Sequence, residues 1–197
     1  MVLLAFLGGN RFNAARGSTL DAPQNALPQA GLDDRSGVPP GAAGQAPVRG
    51  PDISQLTPQE RAERLFNRVM SLNSQGKSDS VQFFAPMALE AYRLLAPIDA
   101  DQRYDMGRIA EVAGALPLAK AQADTILQQN STHLLGLILG ARIASLTSDT
   151  TARKSYEARL LAANSGESAK RLPEYLRHED DITNAVATAR RGERATR

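Results

Sequence analysis

From Thr57 onward the apolar residues recur three and four apart, the spacing that draws one stripe along an α-helix. Thr57 fits an N-cap, Pro58 the first helical position and Glu60 the third, which together make a capping box. The helix that follows sets Leu65, Val69 and Leu72 on one face and Arg61, Arg64 and Arg68 on another, ending near Gly76. A second helix is predicted from about Asp79 to Ala96, turning Val81, Phe84, Ala88, Leu89, Tyr92 and Leu95 inward. Pro86 inside that stretch predicts either a kink or a later start near Phe84, and Pro97 stops it. Asp99, with Gln102 three residues on, caps a third helix that reaches about Ala113 before Gly114 turns the chain. A fourth helix, about Leu118 to Gln129, directs Ala119, Ala123, Ile126 and Leu127 inward.

The next stretch, about Thr132 to Leu146, is apolar nearly all round, which predicts a helix buried in the centre of the fold. Gly136 and Gly140 have the small-residue spacing that lets a neighbouring backbone come close. A membrane span is the competing reading, but the run is short of the roughly 20 apolar residues required and contains Arg142. A sixth helix is predicted from about Thr150 to Ala163, ended by Ser165-Gly166, and a last one from about Pro173 to Arg190 that caps the stack. The expected fold is all-α, about three antiparallel helix hairpins with a C-terminal capping helix, preceded by a long extended N-terminal arm. The expected divisions are 1–57, 58–166 and 167–197.

Two of these segments repeat each other in outline 34 residues apart. Gly107, Gly114, Ala119 and Leu127 mark the first, and Ala141, Ser148, Arg153 and Leu161 stand at the same offsets in the second. A period of 34 built from two amphipathic helices marks a helical-repeat array, which presents surfaces to partners more than it performs chemistry. The region from about Gln59 to Ala163 resembles the tetratricopeptide repeat family: Gly107, Ala119 and Leu127 fall at its eighth, twentieth and twenty-eighth positions. The chain departs from that pattern in having Ser131 for the proline at the thirty-second position, no tryptophan at the fourth, and a longer first hairpin. The resemblance implies that Arg108 and Arg142, both at the family's ninth position, point into a concave groove. With Arg64, Arg68 and Tyr104 they would form a partner-binding row of donors for a carboxylate-rich segment. The alternative is that these arginines are ordinary surface charges.

The first 57 residues differ in kind. They hold six of the eleven prolines and eight of the fifteen glycines, with no sustained apolar period, a composition that cannot offset its own ordering entropy. An arm that is extended alone and held by partners is the expectation. At its tip stand Val2, Leu3, Leu4, Phe6 and Leu7, followed by Arg11. No basic residue precedes this run and it is too short to span a bilayer, so a secretory signal and a complete spanning helix are both disfavoured. The open readings are a loose terminus, an apolar anchor for a membrane interface or partner groove, and the remnant of a longer membrane anchor. At the other end Arg190, Arg191, Arg194 and Arg197 form a basic tail that complements a helix C-terminus or meets anionic lipid.

Composition narrows the chemistry. Cysteine and tryptophan are absent, so disulfides and thiolate metal sites are excluded, and a net charge of +2 with few aromatics argues against nucleic acid as a partner. His133 reads as a helix-start residue, His178 as a surface residue, Asp99 and Asp101 as helix capping, and Glu179-Asp180-Asp181 as a solvated helix face. No catalytic set, metal site, cofactor or small-molecule substrate is expected. The arm, the Asp52-Ile53-Ser54 to Met70 passage and the Ala123 to Leu127 stretch are also similar to repeat-bearing, membrane-associated proteins of environmental Gram-negative bacteria. The expected function is therefore a non-catalytic protein–protein interaction scaffold. In the leading reading it is an extrinsic subunit that stabilises a multi-subunit bacterial membrane complex, a photosynthetic reaction-centre and light-harvesting complex being one candidate. Its partners would be other subunits and the membrane surface, at the cytoplasmic face or alternatively the periplasmic one. The other reading is a free adaptor or co-chaperone that binds acidic peptide segments in its groove.

Overall fold

The structure is a computed structural model that describes residues 56–195. The expectations for residues 1–55, including the arm and the Val2–Leu7 run with Arg11, lie outside the described residues, as does Arg197. Among the described residues every regular element is a helix: α1 (Pro58–Ser74), α2 (Ser78–Arg93), α3 (Ala100–Val112), α4 (Leu116–Gln129), α5 (Leu134–Leu146), α6 (Thr150–Ser168), α7 (Pro173–Arg177) and α8 (Glu179–Ala195).

Local chemistry sets the helix ends. The Thr57 hydroxyl accepts the Glu60 amide at 3.2 Å while the Glu60 carboxylate accepts the Thr57 amide at 2.7 Å, and Asp99 and Gln102 repeat this box at the start of α3. Asp149 caps α6 by accepting the Ala152 amide at 2.9 Å. The turn after α3 places Gly114 at φ 77°, a left-handed conformation that glycine adopts without steric cost.

Three boundaries differ from the sequence expectation. α2 starts at Ser78, runs without interruption through Pro86 and stops at Arg93, three residues before Ala96. Pro86 is exposed, so the ring faces solvent, and the only backbone donor it removes is its own. α6 continues past Ser165-Gly166 to Ser168, because Glu167 is tied into the core and keeps the final turn helical. The single last helix is two, since the chain leaves helical geometry at His178 (φ −109°, ψ 28°).

Consecutive helices pack together along the chain: α1 on α2, α3 on α4, α5 on α6, with α2 on α3 and α4 on α5 linking the pairs. α5 lies at the centre, its Leu134, Leu135, Leu137, Ile138 and Leu139 fully enclosed, and it touches α3, α4, α6 and α8. Glycine permits this closeness. A Cβ at Gly140 would lie 2.7–3.0 Å from three ring atoms of Tyr156 on α6, nearer than side-chain carbons approach. α8 closes the stack by placing Ile182, Val186 and Ala189 against it, beside α5 and α6. No helix among the described residues is long and apolar enough to cross a membrane.

Candidate functional site

α3 carries a polar stripe into an otherwise apolar interior. Asp101, Tyr104, Arg108 and Glu111 are three or four residues apart and Asp105 lies beside Tyr104, one turn after Asp101, so the five share one helix face. All but Asp101 are buried, and buried charge requires partners. α7 supplies the first. The Arg177 guanidinium bonds both Asp101 and Asp105, and His178 Nε2 lies 2.9 Å from Asp101 Oδ1 and 3.5 Å from Asp105 Oδ1. From α2 the Tyr92 hydroxyl donates to Asp105 Oδ2 at 2.6 Å. The neighbouring Tyr104 hydroxyl donates to Asp181 of α8 at 2.7 Å.

The environment separates the two carboxyls. Burial pushes the Asp105 carboxyl above its ordinary range against the opposing pull of Tyr92 and Arg177. Burial acts on Asp101 too, but the His178 and Arg177 bonds outweigh it and leave the group below that range. Arg177 stays cationic: burial opposes its charge, yet Asp105 and Asp101 raise its pKa. Burial, reinforced by the adjacent carboxylates, raises the Tyr92 and Tyr104 hydroxyls, so both remain neutral donors.

At the far end of the stripe two arginines converge on one carboxylate. Arg142 Nε of α5 donates to both Glu111 oxygens at 3.0 and 2.9 Å, and Arg108 Nη1 lies 3.3 Å from Glu111 Oε2. Arg108 is only 9% exposed, and its Nε and Nη1 have no hydrogen-bond partner. It borders a cavity of about 340 Å³. The cavity is also lined by Phe66, Met70, Asn73 and Ser74 of α1 and by Arg177, His178, Asp180 and Asp181 of the α7–α8 segment.

The structure thus groups three of the five groove residues singled out in the sequence, Tyr104, Arg108 and Arg142, around Glu111 and Asp181. The other two, Arg64 and Arg68, lie on the exposed side of α1, where Arg68 stacks over the Phe84 ring at 5.3 Å. In the basic tail Arg190 and Arg194 are exposed and Arg191 donates to the Thr188 hydroxyl at 3.0 Å.

Two sequence readings need correction. His178 is not a surface residue: it is 8% exposed, with its ring 4.8 Å from that of Tyr104. The Glu179-Asp180-Asp181 run is not wholly a solvated face, because Asp181 turns inward to accept the Tyr104 bond. Asp99 caps α3 as expected, while Asp101 serves the α7 contact instead. The sequence signal is that Asp101, Asp105 and Arg108, at i, i+4 and i+7, share one face of α3, which marks the stripe but not its partners on α7.

A second buried carboxylate joins α6 to α5 and α7. Glu167 accepts from the Thr132 hydroxyl at 2.6 Å, Lys170 Nζ at 2.8 Å and the Tyr175 hydroxyl at 3.0 Å, and the Leu134 amide donates to the same Tyr175 oxygen. Those bonds outweigh burial and hold the Glu167 carboxyl down at about 2. His133 beside it is buried without a hydrogen bond, 3.5 Å from Glu174, and burial lowers its pKa toward the neutral form. Among the described residues no three His, Cys, Asp or Glu side chains are arranged to hold a metal ion.

Compared with protein-family models, curated proteins and solved structures, the chain matches none.

Proposed function

We propose that the chain is a non-catalytic protein–protein interaction scaffold whose helical body holds an acidic segment of a partner protein over Arg108. The observation that carries the reading is the buried Arg108 guanidinium, whose Nε and Nη1 make no hydrogen bond and whose one ion pair is to Glu111 at 3.3 Å, on the wall of a 340 Å³ cavity. A buried donor left unpaired costs roughly 1–3 kcal/mol, more when charged, and an arriving carboxylate removes that cost with a charge-assisted bond. Phe66 and Met70 offer contact to an adjoining apolar side chain, and Asp180 offers an acceptor for a backbone amide of the same segment. Glu111 accepts two hydrogen bonds from Arg142 and meets Arg108 only as an ion pair at 3.3 Å, so a ligand carboxylate would add the hydrogen bonds that Arg108 lacks. The wider setting, an extrinsic subunit of a bacterial membrane complex, is supported by the Val2–Leu7 run and the arginine-rich end of the sequence. A synthetic array of Asp- and Glu-containing peptides, probed with the full chain and with Arg108→Gln, tests the cavity. Peptides that bind the full chain and lose at least tenfold in affinity with Arg108→Gln support the proposal. An array with no binder, or one bound equally by both chains, overturns it.

A further inference from the structure

Asp181 already stands where an acidic ligand has to come. It borders the Arg108 cavity and also a second cavity, of about 290 Å³, that Arg142 lines, so it separates the two. One hydrogen bond holds it there, from the hydroxyl of fully buried Tyr104 at 2.7 Å. Its charge acts on the same guanidiniums. Burial disfavours the Arg142 cation, but the Glu111 bonds outweigh burial and Asp181 adds to the same side.

The charges around this point balance without a ligand. Arg108 and Arg142 meet two carboxylates, Glu111 and Asp181, while Arg177, which also lines the cavity, is engaged by Asp101 and Asp105. A third carboxylate brought to Arg108 puts one negative charge in excess into a partly buried site, where like charges repel far more than in water. One carboxylate must then withdraw. Glu111 is buried and accepts two bonds from Arg142, whereas Asp181 is half-buried and has a single neutral donor. Asp181 is therefore the group that can return to water. α7 does not follow it, because Arg177 bonds α3 and Tyr175 bonds Glu167 of α6. The change is confined to the first turn of α8, which begins after the break at His178.

We propose, resting on the reading that Arg108 receives an acidic segment, that Asp181 is an internal competitor for that segment: its bond to Tyr104 holds the site in a low-affinity state, and the partner's carboxylate displaces it. The synthetic array of Asp- and Glu-containing peptides, probed with the full chain and with Asp181→Asn, Tyr104→Phe and Glu179→Gln, tests this. Asp181→Asn removes the competing charge, and Tyr104→Phe removes its tether while leaving every charge in place, so both bind the acidic peptides at least fivefold more tightly than the full chain. Glu179→Gln removes an equal charge from the same turn, but an exposed one that solvent and salt screen, and gains less than twofold. In the full chain, adding a peptide that binds speeds hydrogen exchange of the Ile182 amide, which bonds the His178 carbonyl at 3.0 Å, at least threefold. Equal affinity of the full chain, Asp181→Asn and Tyr104→Phe, with binding still lost in Arg108→Gln, overturns the competitor and leaves the Arg108 site standing. Unchanged exchange at Ile182 with peptide bound also overturns it. An array that none of these chains binds removes the Arg108 site and its competitor together.

Discussion

Alanine at Gly140 and alanine at Gly166 are the same substitution with opposite expected signs. Both positions lie in helices, where replacing glycine by alanine gains about 1 kcal/mol from backbone entropy alone. At Gly166 a Cβ meets nothing within 4 Å, so most of that gain survives and the variant is stabilised by about 0.5–1 kcal/mol. At Gly140 the added Cβ meets the edge of the Tyr156 ring at 2.7, 2.8 and 3.0 Å. Relief requires a shift of most of an ångström between α5 and α6, or rotation of a ring packed on the core, and overpacking of this kind costs about 1–3 kcal/mol. The net result for Gly140→Ala is a loss of about 0–2 kcal/mol, rising beyond about 3 kcal/mol for Gly140→Leu. Thermal unfolding followed by far-ultraviolet circular dichroism reads both, at roughly 2–4 °C per kcal/mol for a domain of this size. A Gly140→Ala chain stabilised as much as Gly166→Ala would refute the close approach of α5 and α6, and with it the central place of α5.

Two further outcomes concern the buried carboxylates. Glu167 is held at about 2 in the folded chain against an ordinary 4.5, so its stabilising contribution is complete above about pH 4.5 and disappears as pH falls through 2. Urea titrations across that window should show about 1–2 kcal/mol of acid-dependent stability that Glu167→Gln removes, and an unaltered pH profile in the variant would contradict the Thr132, Lys170 and Tyr175 bonds. Glu111→Gln strips the shared counter-charge from buried Arg108 and half-buried Arg142 and should cost about 3 kcal/mol in denaturant unfolding; a loss below about 1 kcal/mol would mean that water already solvates those guanidiniums.

What could be read from the sequence was what neighbours along the chain determine. Thr57 with Glu60 and Asp99 with Gln102 are three-residue devices, and both form as the sequence implies. The enclosure of α5 follows from its uniform apolarity, and the inward faces of α1 and α4 follow from helical period. The Asp101, Asp105, Arg177 and His178 cluster could not be read this way, because its two halves are 72 to 77 residues apart and no local spacing announces their meeting. His178 looked like a surface residue because its immediate neighbours are charged; it is buried because the break between α7 and α8 turns it toward α3. The extension of α6 past Gly166 has the same origin, since Tyr175 and Thr132 hold Glu167 from outside the helix. Of the five groove residues, those on α3 and α5 share a site, while Arg64 and Arg68 took the solvent side of α1, where periodicity had already placed them opposite Leu65 and Val69.

The short α7 changes how this domain comes apart. A row of helices in which each touches only its neighbours can fray from an end, one unit at a time. Here five residues reach back across the row: Arg177 grips Asp101 and Asp105 of α3, and Tyr175 grips Glu167 of α6 and the start of α5. The C-terminal segment is thereby stitched to the middle of the chain, so an opening that begins at α7 must tear charged groups out of α3 before it can spread. The expected consequence is a row that opens as one cooperative unit and does not fray from its C-terminal end.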